Sequence, residues 1–319
     1  MDVLSDLLHR ARARNAAVRQ LVQRPPWSMT FAEAPPLTVV TALGGRACLR
    51  LDSGPGTPRE LAAGDIALIS GVTGGYTVAD SPDTPPQVVI RAGRKQFLDG
   101  TASVGQHLAP RTYGDGLPGA TTLLRGTYEL RGDVGERLLG MLPPLAVVPA
   151  GPRTRAALEL LSVEVTQEEP GQDAVLNRAL DLVLVLALRA WCTSDSGART
   201  PSWYGALAAP AIGDALRLLH EAPAHRWTVA ELAGRVGLSR AAFAARFTAL
   251  VGEPPLGYLT GWRMALGADL LRDTEATVAA VARAVGYEDP FAFSTAFKRA
   301  RGLTPSQWRR QAQRDQRAR

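Results

Sequence analysis

Apolar residues along the chain follow two different periods, and the change falls near its middle. From Leu37 to about Tyr128 they come in short runs punctuated by Gly, Pro and Asp, the pattern of an all-β unit. "LTVVTALGGRACLRLD" is two strand-like runs around Gly44 and Gly45, whose tolerance of positive φ suits a tight hairpin turn. "LAAGDIALIS", "GYTVAD" and "PQVVIRAG" continue the series, and strands of this number and spacing close into a small barrel or sandwich. Asp99 to Ala120, "DGTASVGQHLAPRTYGDGLPGA", has no period and reads as a long loop, either a lid or disordered. The opening "MDVLSDLLHRARARNAAV" mixes acids and arginines through its apolar positions, so it reads as an amphipathic helix rather than a signal peptide.

Helical spacing takes over at Arg153 to Gln167 and Asp173 to Trp191. In the second helix Leu176, Leu180, Val183, Leu184 and Ala187 form one face, while Val185, Leu186 and Leu188 make it apolar nearly all round. Such a helix needs partners on more than one side; packing on the β unit and a dimer seam both satisfy it. "TSDSGARTPSWYG", Thr193 to Gly205, has linker composition and marks a domain boundary.

Beyond the linker one unit is written twice. "AGRVG" at Ala233 to Gly237 matches "ARAVG" at Ala282 to Gly286, and Phe247, Gly252 and Pro255 match Phe297, Gly302 and Pro305. Each copy reads as a helix ended by Val-Gly, a short turn and a second helix, the helix-turn-helix plan. Thr228 and Glu231 suit a capping box on the first helix, and Ser239 suits the cap of the next. On that next helix Phe243, Phe247 and Leu250 fall on the core face, which turns Ala241, Ala244, Ala245 and Thr248 outward. In the second copy Phe293 and Phe297 face inward, leaving Phe291, Thr295 and Lys298 outside. Phe291 either tucks against the preceding helix or meets a thymine methyl in a major groove. Between the copies, Leu256, Leu259, Trp262, Leu266 and Leu270 stripe one long helix, a rigid spacer that would let two reading helices enter successive major grooves.

Charge supports that division. From Leu207 onward the chain has 16 Lys and Arg against 10 Asp and Glu, whereas the first 206 residues hold 20 of each sign. All the excess of the net +6 is therefore C-terminal, where a polyanion-binding domain needs it. Two cysteines, Cys48 and Cys192, are too few for a disulfide framework and suit a reducing, cytoplasmic compartment. Both read as buried small apolar residues, with a redox sensor as the alternative. The longest apolar run, Leu182 to Leu188, is too short to span a membrane. No Gly-x-Ser-x-Gly, phosphate-binding glycine loop or HExxH is present. The histidines are His9, His107, His220 and His225, none of them in a β run, so the β unit has no three-histidine metal site; His107 reads as solvated.

"GLSRAAFAARFTALVGEPPLGYLTGWRM" followed by "VGYEDPFAFSTAFKRARGLTPSQWRR" resembles the C-terminal DNA-binding domain of AraC/XylS-type transcriptional regulators, over about Leu207 to Arg310. "RLDSGPGTPRELAAGDIALISG" is similar to the cupin-type N-terminal domain of one branch of that family, although "TGGYTVAD" has Tyr76 where related sequences carry histidine. The resemblance implies an α+β chain: a cupin-like β-barrel with a helical hairpin at residues 1–193, a linker at 194–206, and a double helix-turn-helix domain at 207–319. It implies a DNA-binding transcriptional regulator, not an enzyme, controlled by a small-molecule effector. Promoter DNA, RNA polymerase and a second copy of the chain are the implied partners; cupin barrels often hold a metal through several histidines, but the lack of histidine in the β runs leads to the expectation of no metal or cofactor here. The alternatives are a redox-responsive regulator, or a cupin-like enzyme or binding module with secondary DNA binding. By position, Ser239, Arg240, Ala241, Ala244, Ala245 and Arg246 would lie on the first recognition stretch, and Phe291, Ala292, Ser294, Thr295 and Lys298 on the second. Three alanines carry no hydrogen-bonding groups, so direct readout by the first helix would rest on Arg240 and Arg246; either may equally be a phosphate contact.

Overall fold

The computed structural model describes residues 14–52, 57–71, 74–98, 106–116, 118–129, 132–140, 142–194, 206–207 and 209–317. The chain divides into two compact units: Ala13–Leu130 with Leu142–Trp191, and Met1–Arg12 with Arg131–Met141 and Cys192–Arg319. Thus a short segment that interrupts the first unit belongs to the second.

The first unit holds β1 (Arg14–Gln23), β2 (Ser28–Phe31), β3 (Leu37–Gly44), β4 (Ala47–Leu51), β5 (Arg59–Leu61), β6 (Ile66–Ser70) and β7 (Tyr76–Ala79). It continues with β8 (Val88–Arg91), β9 (Arg94–Phe97), β10 (Gln106–Ala109), β11 (Thr112–Gly114), β12 (Thr121–Glu129) and β13 (Leu145–Val148). The strands form a seven-stranded sheet, β10-β11-β1-β12-β3-β6-β13, and a six-stranded sheet, β5-β4-β7-β2-β8-β9. Leu21, Val40, Ile69 and Leu123 of one sheet and Trp27, Phe31, Leu49 and Val78 from the other side share one buried apolar cluster. The expected cupin-like β unit is therefore present as two sheets around a common core.

Three local expectations are corrected. Gly44 and Gly45 do not make a hairpin: β3 pairs with β12 and β6, while β4 pairs with β5 and β7 in the other sheet. The chain turns a corner between sheets there, with Gly45 at φ +77 and its missing Cβ 2.7 Å from Thr121 Oγ1, a space no side chain would fit. Residues Arg14 to Val18, expected to end an amphipathic helix, lie in β1, bonded to both β11 and β12. Backbone pairing on both sides overrides the local helical pattern; the rest of that expectation falls outside the described residues. Part of the expected Asp99–Ala120 loop is also ordered: β10 and β11 pair, with His107 opposite Tyr113.

Two helices complete this unit, α2 (Pro152–Glu164) and α3 (Gln172–Cys192), once α1 (Asp133–Leu139) is counted in the second. Leu176, Leu180, Val183, Leu184 and Ala187 of α3 are buried, and Leu180 packs so closely on β12 that Gly126 has no room for a Cβ. Val175 and Leu182 remain exposed, as do Leu160 and Val163 of α2. Among the described residues no helix is long and apolar enough to cross a membrane.

The second unit is helical: α4 (Pro210–Glu221), α5 (Val229–Arg235), α6 (Arg240–Val251), α7 (Pro255–Asp273), α8 (Val278–Ala284), α9 (Pro290–Arg301) and α10 (Pro305–Arg317). Trp262 on α7 is fully buried and stacks on His220 of α4 at 4.2 Å, and His220 Nε2 lies 2.6 Å from the Tyr258 hydroxyl. Helix α1 docks on α7: Asp269 accepts from the backbone N–H groups of Asp133 and Val134, and Arg137 meets Glu253 at 2.9 Å. Arg301, at the end of α9, reaches the buried Asp133 carboxylate. Most of the expected linker, residues 195–205, falls outside the described residues.

Candidate nucleic-acid interface and sensor cavity

The two repeated units are built by the same local devices. Thr228 accepts from the Glu231 backbone N–H and Thr277 from that of Ala280, capping α5 and α8. Both helices then close with the same bond, Leu238 N–H to Ala233 carbonyl at 2.9 Å and Tyr287 N–H to Ala282 carbonyl at 2.8 Å. That closure needs a left-handed residue, supplied by Gly237 at φ +71 and Gly286 at φ +86. Ser239 caps α6 by accepting from Ala242, and Asp289 caps α9 by accepting from Phe291 and Ala292. The recognition helices have the same length, 12 residues, and end at left-handed Gly252 and Gly302. The second turn is one residue longer, which explains why the earlier repeats are offset by one less than the later ones. The expected capping box is half formed, because the Glu231 carboxylate lies 2.9 Å from His225 Nε2.

The faces of these helices fall largely as their spacing predicts. Phe243, Phe247, Phe293 and Phe297 are fully buried, whereas Leu250 is only half-buried. Ser239, Arg240, Ala241, Ala245, Arg246 and Thr248 are exposed on the first unit, with Ala244 half-buried. Ala292, Thr295 and Lys298 are exposed on the second, Ser294 is half-buried, and its hydroxyl donates to the Pro290 carbonyl. Phe291 is 82% exposed, so it does not tuck against the preceding helix. Among the described residues the side chains of Arg240, Arg246, Arg283, Lys298 and Arg299 have no ion pair or hydrogen-bond partner, which leaves these cations available to an anionic partner.

Helix α7 joins the two units over 19 residues, about 28 Å at ~1.5 Å per residue. Its expected stripe is buried at Leu259, Trp262 and Leu266 but not at Leu256, which is 40% exposed. Met264, Ala265, Gly267 and Ala268 are buried as well, since α1, α8, α9 and α10 all pack on this helix. Two reading helices fixed to one rigid rod form a geometry suited to one face of a duplex.

Comparison with known proteins agrees with both halves. Residues 2–193 match a cupin family model and residues 232–311 a helix-turn-helix domain model. An AraC-like transcription regulator of Streptomyces antibioticus is 35% identical over 97% of this chain and 99% of its own length. The chain belongs to the AraC family of transcriptional regulators. Its other relatives include the transcriptional regulator AlkR of Acinetobacter baylyi, 27% identical over 98% of this chain and 100% of that protein. Among solved structures, the DNA-binding domain of AdpA in complex with a target DNA is 30% identical over 31% of this chain and 89% of that one, with a TM-score of 0.30.

In this AraC-family chain the β unit holds a part-open cavity of about 350 Å³. Apolar side chains of both sheets line it, with Arg19, Lys95 and Arg125 as its charged residues. Arg125 Nε donates to the Tyr76 hydroxyl at 2.5 Å, and its guanidinium lies 4.2 Å from the centre of the Phe31 ring. Burial pushes the Tyr76 phenol up, so it remains a neutral acceptor. The Lys95 ammonium sits 4.1 Å from the centre of the Tyr113 ring, and partial desolvation pushes its pKa down. These cations escaped sequence reading because they stand on three separate strands, β1, β9 and β12, far apart in the chain.

The remaining candidate chemistry is quiet. Cys48 is buried in β4 and burial raises its thiol pKa; the Cys192 thiol is pushed up to about 12, also by burial. Both shifts disfavour the reactive thiolate. His107 is exposed, edge-on to Tyr113 at 5.6 Å. Among the described residues no three His, Cys, Asp or Glu side chains converge as a metal site.

Proposed function

We propose that this AraC-family protein reads promoter DNA sequence-specifically with α6 and α9, and that a small molecule in the cavity of its β unit controls that binding. The observation that carries the reading is the pairing of two turn units closed by the same backbone bond, each with a fully buried Phe pair inside and, outside, cations unpaired among the described residues. On α6 the interface comprises Ser239, Arg240, Ala241, Ala244, Ala245 and Arg246; on α9 it comprises Phe291, Ala292, Ser294, Thr295 and Lys298. The alanine surface of α6 lets its backbone approach the groove closely and leaves hydrogen bonding to the arginines. Phe291, largely exposed, meets a thymine methyl. Residues 1–193 serve sensing and dimerisation, 194–206 connect, and 207–319 bind DNA, with 131–141 joined to the latter in one compact unit.

A second copy of the chain docks through α2 and α3, whose exposed Leu160, Val163, Val175 and Leu182 support an apolar seam. The protein acts in the cytoplasm, in contact with RNA polymerase, and is not an enzyme. The test is a salt titration of promoter binding by the Arg240→Ala and Arg246→Ala variants. Loss of a phosphate contact weakens every sequence alike and lowers the salt slope by about 1, whereas loss of a base contact relaxes discrimination at one position. If neither variant alters binding, α6 is not a recognition helix.

A further inference from the structure

The cavity of the β unit has a lopsided chemistry. Of its fifteen lining residues three are cationic and none is acidic, while Leu21, Met29, Val40, Val88, Ile90 and Leu123 supply apolar walls. Arg125 is half-buried at this cavity, held at Nε by the Tyr76 phenol and over the Phe31 ring, with no carboxylate partner among the described residues. A guanidinium fixed at one edge keeps the rest of its planar fork for a two-oxygen acceptor. Removing it from bulk water without a counter-charge is costly, so the site gains most from a ligand that brings the anion. Size bounds the rest: about 350 Å³ lies at the small end of ligand pockets, roughly 300–1,000 Å³, and suits a compact body better than a long chain.

We infer that the effector is a compact apolar monocarboxylate, its carboxylate on Arg125 and its hydrocarbon body between Leu21, Val40, Val88 and Leu123. The inference rests on the effector reading above and sharpens it to a ligand class. Lys95 and Arg19 add positive potential at the same cavity, which favours the anion over its neutral isostere.

Calorimetry on the full chain with 4-phenylbutanoate, its primary amide and palmitate tests this. The carboxylate should bind saturably, with the amide weaker by at least roughly tenfold and the Arg125→Met variant weaker by roughly ten- to a hundredfold. Palmitate, with a chain longer than the compact body inferred, should bind more weakly than 4-phenylbutanoate. Since Arg125 also contacts Tyr76, a misfolded Arg125→Met variant is replaced by Lys95→Met on the exposed strand β9, expected to lose affinity severalfold for the carboxylate and not the amide. Equal affinity for acid and amide, no saturable binding of 4-phenylbutanoate, tighter binding of palmitate, or indifference to both substitutions overturns the ligand class. Promoter binding measured with and without 4-phenylbutanoate separates the two levels: a bound carboxylate that leaves DNA affinity unchanged refutes the effector reading and leaves the ligand class standing.

Discussion

Replacing Asp133 with Asn should flatten the pH dependence of the unit that carries the DNA-binding helices. Asp133 opens α1, is only 5% exposed, and has its carboxyl pushed up to about 6. Burial is the main cause; Asp269 and Glu136 add to the rise, while Arg301 and Arg272 oppose it. Arg301 Nη2 stands 2.5 Å from Asp133 Oδ2, yet that oxygen has no aligned hydrogen bond, so the pair does not offset desolvation. A carboxyl raised in the folded state holds its proton more tightly folded than unfolded. Its stabilisation is therefore complete below the ordinary value of 3.8 and is lost as pH rises through about 6. A rise of about two units corresponds to roughly 3 kcal/mol over that window. Urea unfolding followed at several values between about pH 4 and pH 7.5 measures it as the difference between wild type and Asp133→Asn. Asp181, also raised by burial, is present in both proteins and cancels in the difference, whereas Asp269 is coupled to Asp133 and its response is part of that difference. Wild type should lose stability relative to the variant as pH rises. Parallel curves, or a wild type that gains stability with pH, would refute the assignment of Asp133 as a buried carboxyl whose desolvation outweighs its ion pair.

Three further outcomes follow from named contacts. Asp289→Ala removes the acceptor of the Phe291 and Ala292 backbone N–H groups and should lower stability by about 1 kcal/mol, read as a shift in the urea midpoint. Phe291→Ala should leave the melting temperature unchanged, since the ring is exposed, but weaken the target promoter relative to random DNA by about 1 kcal/mol or more in competition binding. With Cys48 buried and the Cys192 thiol pushed up to about 12, alkylation by iodoacetamide near neutral pH should be slow in the folded protein, and mild peroxide should not change promoter affinity.

The C-terminal half was legible in the sequence because its determinants are local. Caps, closing glycines and Phe pairs act within a dozen residues, so the spacing of Ser239, Phe243 and Phe247 already specifies the turn, the helix and its inner face. The N-terminal half was legible as a class but not in its pairing. Whether Gly45 turns a hairpin or a corner depends on Thr121, far along the chain, and whether Arg14–Gln23 is a helix or a strand depends on partners in β11 and β12. The helix at Asp133 was invisible for the same reason, since its N-terminus is capped by Asp269 rather than by a neighbour in sequence. Likewise the cavity of the β unit has no motif: Arg125 and Tyr76 meet only once two sheets pack around a core.

The central claim is that two helices on one rod read DNA together. Base-contact footprinting of the full protein on its promoter tests it most directly. Protection should fall in two successive major grooves on one face of the duplex, about 10 base pairs apart for each bound chain, with Arg240→Ala altering one groove and Lys298→Ala the other. Contacts confined to a single groove per chain, or both substitutions altering the same groove, would contradict it.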